Sequence, residues 1–233
     1  MLKKISTLLL LTVALVSCSK DDDKSQESSR RKYVDRVIIE QDGESEVVQV
    51  KYNNKMQITS YVTDRSTFSF QYENDRVVKV MEGPDSNPYN LYYSNGVLSG
   101  VDHYSMPYTV TYNNSSKTYS FDGVDFSFGL TGRDISFVDQ MGDTRESFTY
   151  DTAKKGPLHN VEPENLYPVT LFSEFQYLYM SAFPIKTISL ESEGVRTTYV
   201  AENVYDDEGY LIEATQSNAG NQLFKVTYEY ITK

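Results

Sequence analysis

The sequence is short of the residues that carry most enzyme chemistry. Its 233 residues include one cysteine, two histidines and no tryptophan. A single cysteine excludes a disulfide within the chain and a thiolate zinc site. The histidines, His103 and His159, are too few for a histidine metal site, and we predict that both lie in surface loops. The chain also has no Gly-x-Ser-x-Gly elbow and no Gly-rich phosphate loop, so we predict no cofactor, no metal and no enzymatic activity.

Positive charge is also scarce. The chain has 22 Lys and Arg against 33 Asp and Glu, a formal net charge of −11. Because clustered Lys and Arg bind phosphate backbones, this balance excludes nucleic acid as a partner and opposes adsorption to anionic lipid. Two groups of carboxylates lack the spacing of a calcium loop, and we expect them to cap turns: Asp122 with Asp125, and Asp206 with Asp207 and Glu208.

Long apolar runs are missing except near the N-terminus. Lys3 and Lys4 precede a nearly unbroken apolar run over residues 5–16. A membrane-spanning helix needs about 20 apolar residues, so this run is too short to be one. A basic start followed by a short apolar run is typical of a secretory signal peptide, and we assign residues 1–17 to it.

The apolar run ends in Leu15-Val16-Ser17-Cys18, which resembles a bacterial lipobox. The resemblance implies that the Cys18 thiol is acylated and that cleavage makes Cys18 the first residue of the mature chain. Several acyl chains would anchor the protein stably, because one chain binds a membrane only weakly. The mature chain then has 20 Lys and Arg against 33 Asp and Glu, a net charge of −13.

A polar segment follows the cysteine. Its first residues resemble the export signal of Bacteroidetes lipoproteins that reach the outer face of the outer membrane: Ser19, Lys20, Asp21, Asp22 and Asp23. The alternative is an acidic linker without an export role. We predict that residues 18–32 form a disordered tether, because their composition cannot build a core. The expected location is the outer membrane, with the protein lipid-anchored at the cell surface.

The rest of the chain has a period near 20 residues. Polar turn residues follow an aromatic or apolar residue at steps of 18 to 21 residues, after Tyr52, Tyr72, Tyr93, Tyr112, Leu130 and Tyr150. A fixed period indicates a repeated unit, and the alternation of aromatic and polar residues before each turn indicates β-hairpins. We predict that residues 33–233 form one all-β domain, an antiparallel β-meander of repeated hairpins. The sheet would be curled, open or barrel-like, with its aromatic face inward.

Residues 154–183 interrupt the meander. Three prolines in the first half of this segment predict a loop. Apolar residues then recur at helical spacing up to Pro184, which would end a helix. We predict one helix near residues 169–182 and expect it to complete the core on the open side of the curled sheet.

A family resemblance follows from these patterns. Residues 205–211 have the form Tyr-Asp-x-x-Gly-x-Leu and resemble one unit of the tyrosine-aspartate (YD) repeats of secreted bacterial proteins. With the lipobox, the repeated hairpins and residues 150–158, the chain is similar to an uncharacterised family of Bacteroidetes lipoproteins described as having a porin-like fold. The resemblance implies a barrel-like shape and no known activity. Short strands, charges within the strands such as Arg76, and the lipid anchor oppose insertion of the sheet into a membrane.

Three functions stay open. The first is a non-enzymatic binding or scaffold module for an extracellular glycan or a surface protein. The alternative is a carrier or chaperone that encloses an apolar ligand, and the third is a hydrolase of extracellular polymers that uses two distant carboxylates. For binding, tyrosines offer a rigid amphipathic surface for sugar rings, and the candidate ligand face consists of Tyr89, Tyr92, Tyr93, Tyr104 and Tyr108.

Replacing Cys18 by Ala tests the anchor. Without a thiol to acylate, the protein should appear in the soluble fraction or accumulate with its signal peptide attached. Membrane fractionation followed by mass determination of the N-terminus measures both outcomes, and Ser25→Ala serves as the control. Normal membrane retention of the Cys18→Ala protein would contradict lipid anchoring.

Overall fold

The computed structural model describes residues 30–140, 144–161, 166–173 and 176–233. The predicted signal peptide, the lipobox, the lipidation site Cys18 and the export signal at residues 19–23 lie outside the described residues. No helix in the part of the chain that the structure describes is long and apolar enough to cross a bilayer.

Sixteen antiparallel strands within the described residues pair in chain order, which confirms the predicted all-β meander. Their bounds are β1 Lys32–Gln41, β2 Glu44–Tyr52, β3 Ile58–Val62, β4 Thr67–Glu73, β5 Arg76–Glu82, β6 Tyr89–Ser94, β7 Val97–His103, β8 Met106–Asn113, β9 Thr118–Phe121, β10 Phe126–Thr131, β11 Asp134–Gln140, β12 Thr144–Tyr150, β13 Ile185–Ser192, β14 Val195–Tyr205, β15 Leu211–Asn218 and β16 Asn221–Thr232.

The sheet closes on itself. β1 pairs with β16 over its whole length, with Val37 opposite Tyr228 and Lys32 opposite Thr232. The sequence left an open sheet and a barrel-like sheet as alternatives, and the structure shows a closed barrel. Closure pairs the backbone groups that an open sheet would expose along its two edge strands.

Most aromatic and aliphatic side chains of the described strands point into the barrel, as predicted. Phe68 and Phe70 of β4 are buried, whereas Gln71, the residue that follows Phe70, is exposed. On β8, Val110 is buried between two exposed threonines, Thr109 and Thr111. This arrangement is the reverse of the apolar-out, polar-in alternation of barrels that face lipid.

The tyrosine that ends a strand before a turn has a repeated structural role. Its hydroxyl donates a hydrogen bond to a carbonyl near the start of the preceding strand, at 2.6–2.8 Å: Tyr52 to Val34, Tyr72 to Ile58, Tyr93 to Val77, Tyr150 to Ile135 and Tyr230 to Leu211. The first four of these tyrosines also lie at a register shift in the pairing with the next strand. Each of the four therefore connects three consecutive strands.

The described residues of the interruption of the meander pack largely inside the barrel, and we call them the plug: residues 154–161, 166–173 and 176–183. Its aromatic residues contact the inner wall on several sides. The centre of the Tyr167 ring is 5.3 Å from the ring centres of both Tyr119 and Phe128. Farther along the plug, Tyr177 meets Phe148 at 5.9 Å. The plug thus completes the core, as predicted.

The helical part of the plug is shorter than predicted. Instead of one helix near residues 169–182, the described residues contain α1, Leu166–Leu171, and a 3₁₀ helix, Gln176–Leu178. The hydroxyls of Thr170 and Ser173 donate to carbonyls in the preceding turn, an interaction that competes with regular helix geometry. The plug is packed against the wall through Tyr167 and Tyr177, and this packing overrides the local helical pattern.

Two adjacent residues of the barrel hold both ends of the plug. Arg133, in the turn before β11, donates to the carbonyls of Leu158, His159 and Val161. Asp134 accepts hydrogen bonds from the backbone N–H of Ala182 at 2.7 Å and of Phe183 at 3.1 Å. Burial raises the pKa of Asp134 to about 6, although both N–H donors and the Arg133 charge act in the opposite direction.

The interior is closely packed around the plug. One inner cavity lies beside Gln216 and Phe224, and another lies beside Asp134 and Thr170; each is about 10 Å³. A space of this size admits about one water molecule. Neither cavity has room for an apolar ligand, so they give no support to the carrier hypothesis.

Replacing Tyr72 by Phe tests the tyrosine bonds. The change leaves the Ile58 carbonyl without its donor, and we expect the free energy of unfolding to fall by about 1–3 kcal/mol. Tyr112→Phe is the matched control, because in the described structure the Tyr112 hydroxyl makes no such bond. Urea unfolding measures both, and equal losses in the two variants would contradict a specific role for the bond.

Replacing Asp134 by Asn tests the buried carboxyl. The folded pKa of about 6 lies above the ordinary value of 3.8, so between these values the folded state binds a proton that the unfolded state lacks. Stability from this group is full below pH 4 and is lost as the pH rises to 6, by about 1.4 kcal/mol per pH unit. The stability of the wild type minus that of Asp134→Asn should fall over this range; a flat difference would contradict the shift.

Candidate functional site

The two ends of the barrel differ in what they carry. One end, which we call the base, holds the turns that follow the tyrosines and both ends of the barrel chain. There Arg31 and Lys233 exchange two backbone hydrogen bonds of 3.0 Å. The opposite end, the rim, is formed by the turns at residues 42–43, 63–66, 83–88, 104–105, 122–125, 193–194 and 219–220.

The rim is strongly acidic. In its described turns and the residues that flank them, eight carboxylates stand against one basic side chain, Arg65. The carboxylates belong to Asp42, Glu44, Asp64, Glu82, Asp85, Asp122, Asp125 and Glu193. A surface of one sign repels ligands of the same sign, so this end of the barrel disfavours polyanions.

One rim turn has an unusual composition. The turn between β7 and β8 places Tyr104 at φ 53° and Ser105 at φ 60°. Two consecutive positive φ angles are typical of type I′ hairpin turns, which favour Asn-Gly because other side chains are strained there. The Tyr104 ring is 60% exposed, so the strain is not offset by burial of the ring. Strain of this kind marks a position that a functional requirement can explain.

A pocket of about 270 Å³ opens beside this turn on the outer face of the barrel, and we call it the Tyr104 pocket. It is lined by Asn87, Pro88, Asn90, Asp102, Tyr104 and Ser105. Asn90 and Asp102 are directly opposite each other on β6 and β7. The Asp102 Oδ1 atom is buried and has no hydrogen-bond partner among the described residues. An amide, a carboxylate and an aromatic ring together can bind hydroxyl groups and the apolar face of a sugar.

The turn is supported from the inner side of the barrel. The His103 ring stacks on Tyr89 at 3.7 Å and contacts the Tyr104 ring at 4.2 Å, while Tyr89 packs against Phe172 of the plug. Burial lowers the pKa of His103. His103 is thus a half-buried support of the turn, and the prediction of a surface histidine is wrong for it.

The second histidine is also half-buried. His159 belongs to the plug, where its ring packs edge-on against Phe183 and Tyr210 at 6.1–6.2 Å. Burial and the nearby charges of Arg133 and Lys155 lower its pKa. His159 therefore lies in a loop, as predicted, but its ring is half-buried because this loop packs against the barrel.

The five tyrosines of the candidate ligand face are separated by the fold. Tyr104 lines the pocket, and Tyr92, 53% exposed, lies on the outer face of β6. Tyr89, Tyr93 and Tyr108 pack against the core from the inner side. The structure therefore brings only Tyr104 and Tyr92 to the outer surface, on neighbouring hairpins.

A larger groove of about 620 Å³ lies on the outer face from β9 to β13, and we call it the Arg145 groove. The Arg145 guanidinium is 4.1 Å from the centre of the Phe137 ring and donates to Asp139 at 3.2 Å. Phe137 in turn covers Gly129, where a Cβ atom would come within 2.2 Å of the ring. The remaining polar lining is Ser120, Asp125, Ser127, Thr144, Glu191 and Glu193.

The carboxylate groups singled out in the sequence have separate positions. Asp206 accepts N–H bonds from Glu208 and Tyr210 in a base turn, and Lys32 pairs with it at 2.8 Å. Asp122 and Asp125 lie in a rim turn, and Asp125 lines the Arg145 groove. Among the described residues, no group of three His, Cys, Asp or Glu side chains is arranged to hold a metal ion.

Sequence reasoning missed most of the residues that line the two concave surfaces. A Tyr-Ser pair in a two-residue hairpin, where Asn-Gly is expected, is the signal that could have identified the Tyr104 turn. No local pattern identifies Arg145 or Asp102, because their neighbours in space come from other strands.

Comparisons with known proteins place the fold. No protein-family model matches the chain, and no curated protein matches it. It is similar to the crystal structure of a porin-like protein from Bacteroides vulgatus ATCC 8482, with a TM-score of 0.52, 11% identity, and coverage of 86% of this chain and 99% of that one. A porin-like protein from Bacteroides uniformis ATCC 8492 has a TM-score of 0.50 and 11% identity, with coverage of 86% and 96%. At this identity the likeness concerns the fold alone, and the predicted porin-like fold is confirmed.

Replacing Tyr104 by Asn tests the strain in the rim turn. Asn adopts positive φ more readily than Tyr, so we expect the free energy of unfolding to rise by about 1 kcal/mol. Ala219→Asn, at φ 47° in another rim turn, is the matched control for the conformational effect. Thermal unfolding measures both variants, and a loss of stability confined to Tyr104→Asn would show that contact with His103 outweighs the strain.

Proposed function

We propose that this chain is a lipid-anchored surface protein that binds extracellular glycans at the rim of a plugged barrel. The observation that carries the proposal is the Tyr104 pocket, where an exposed aromatic ring on a strained turn stands beside Asn90 and the unpartnered Asp102 carboxylate. Exposed aromatic rings are complementary to the apolar face of a sugar, and planar polar side chains are complementary to its hydroxyl groups.

The position of the chain ends supports this orientation. The barrel chain begins and ends at the base, so a tether from a lipidated Cys18 would reach the barrel at that end. The rim is then the part of the barrel farthest from the point of attachment. This arrangement suits a module that presents its binding surface away from a membrane. It also fits the proposed relation to Bacteroidetes lipoproteins and to YD repeats, which rests on the sequence.

Two other functions receive less support. A carrier needs an enclosed space for its ligand, whereas the two inner cavities beside the plug each hold about one water molecule. A glycoside hydrolase uses two carboxyl groups on either side of the scissile bond, whereas among the described residues Asp102 is the one carboxylate that lines the Tyr104 pocket. Binding without hydrolysis is the function that this pocket supports best.

Affinity gel electrophoresis tests the proposal. Protein lacking residues 1–18, which keeps the whole barrel, is run through gels that contain xyloglucan, galactomannan or starch, with polygalacturonate and chondroitin sulfate as anionic controls. We expect retardation by at least one neutral polysaccharide and by neither anionic one, because the rim is acidic. Tyr104→Ala should weaken the retardation at least tenfold in affinity.

Val195→Ala is the matched control, because Val195 is an exposed rim residue outside both concave surfaces. Unchanged binding by Tyr104→Ala, or the absence of binding to all three neutral polysaccharides, would contradict the proposal. Comparable losses in Tyr104→Ala and Val195→Ala would also contradict it, since the effect would then not be specific to the pocket.

A further inference from the structure

We propose that the Tyr104 pocket and the Arg145 groove are two parts of one binding face, which holds a single extended chain of a neutral polysaccharide across the strands. This inference rests on the proposed function and adds the second contact region and the class of ligand. It is carried by the position of the two concave surfaces on the same outer face of the barrel.

A single strand separates the two surfaces. Asp102 of the Tyr104 pocket is on β7, and Ser120 at the near edge of the Arg145 groove is on β9. Asp102 is opposite Pro107 and Ser120 is opposite Thr111, four residues farther along β8. The two edges are therefore about 10 Å apart across the strands and about 13 Å apart along them. Arg145 on β12 is five of the sixteen strand spacings from Asp102, about 24 Å measured along the curved wall of the barrel. A disaccharide cannot reach both ends of this distance, but a longer oligosaccharide can.

Small and hydroxyl-bearing residues lie on the outer face of the barrel wall between the two surfaces. Gly100 on β7 is opposite Thr109 on β8, and Thr111 on β8 is opposite Ser120 on β9. Both threonines and Ser120 are exposed, and the Tyr92 ring lies beside Gly100 on the same face. A ligand that leaves the pocket at Asp102 first passes the exposed ring of Pro107, which is opposite Asp102 on β8. It then meets the hydroxyl groups of the two threonines and of Ser120 before it enters the groove.

The Arg145 side chain is already positioned by its neighbours before a ligand binds. Its guanidinium is fixed by the Phe137 ring on one face and by Asp139 at one nitrogen, and its side chain is still 48% exposed. A guanidinium has five N–H donors, so donors remain for ligand hydroxyls after the bond to Asp139. Because the group is already positioned, little side-chain entropy is lost when it binds.

The charge of the groove selects the class of ligand. Four carboxylates line it, on Asp125, Asp139, Glu191 and Glu193, against the single cation of Arg145. Carboxylates accept hydrogen bonds from sugar hydroxyls but repel the uronates and sulfates of acidic polysaccharides. We therefore expect a chain with free hydroxyl groups and no anionic substituents.

Chain-length dependence tests the inference. Binding of xyloglucan, galactomannan and starch fragments with two or eight sugars is measured by calorimetry for the wild type, Tyr104→Ala and Arg145→Ala. We expect Arg145→Ala to bind the eight-sugar fragment at least tenfold more weakly and the two-sugar fragment as the wild type does. Tyr104→Ala should weaken the binding of both fragments.

Arg36→Ala is the matched control, because Arg36 is also an arginine of the barrel wall with an exposed side chain and a carboxylate partner, Glu229 at 2.8 Å, and it lines neither concave surface. Melting temperatures equal to the wild type identify variants that keep the fold. If Arg145→Ala binds the eight-sugar fragment as the wild type does while Tyr104→Ala does not, the single binding face is overturned and the proposed function stands. If no neutral fragment binds the wild type, the proposed function itself is overturned.

Discussion

The bond between a strand-ending tyrosine and a carbonyl of the preceding strand is the interaction on which the rest of this barrel depends. A meander of short hairpins has no crossover connections, so each hairpin must be fixed to the next by side chains and by the sheet ladder. Tyr52, Tyr72, Tyr93 and Tyr150 do this at register shifts, where the ladder is locally interrupted. The hydroxyl satisfies a carbonyl while the ring packs in the core, which explains why tyrosine is used there rather than phenylalanine.

Closure of sixteen strands creates an interior that the inward side chains alone do not fill. The plug supplies the missing volume, and its attachment explains why Arg133 and Asp134 are adjacent in sequence. Arg133 donates hydrogen bonds to carbonyls near the start of the plug, and Asp134 accepts hydrogen bonds from N–H groups at its end. The barrel therefore has a porin-like fold with a filled interior. Its outward side chains are mostly polar, whereas those of a membrane pore are apolar.

The filled interior leaves the outer surface and the rim as the places for binding. The rim carries the strained Tyr104 turn, and the Arg145 groove lies next to the pocket that this turn forms. Both ends of the barrel chain lie at the base, so the proposed lipid tether and the proposed binding site are separated along the barrel axis.

The sequence by itself determined the all-β class, the hairpin repeat, the positions of most turns and the inward aromatic face, because alternation and turn residues act over a few positions. It did not determine closure, since the pairing of β1 with β16 joins the two ends of the domain. It also placed His103 and the plug helix incorrectly and did not show that His159 is half-buried, because packing inside the barrel overrode local patterns. The two concave surfaces were decided only by the tertiary structure. Asp102 is opposite Asn90, and Arg145 contacts Phe137 and Asp139 on the neighbouring strand. No local sequence signal records the register between these strands.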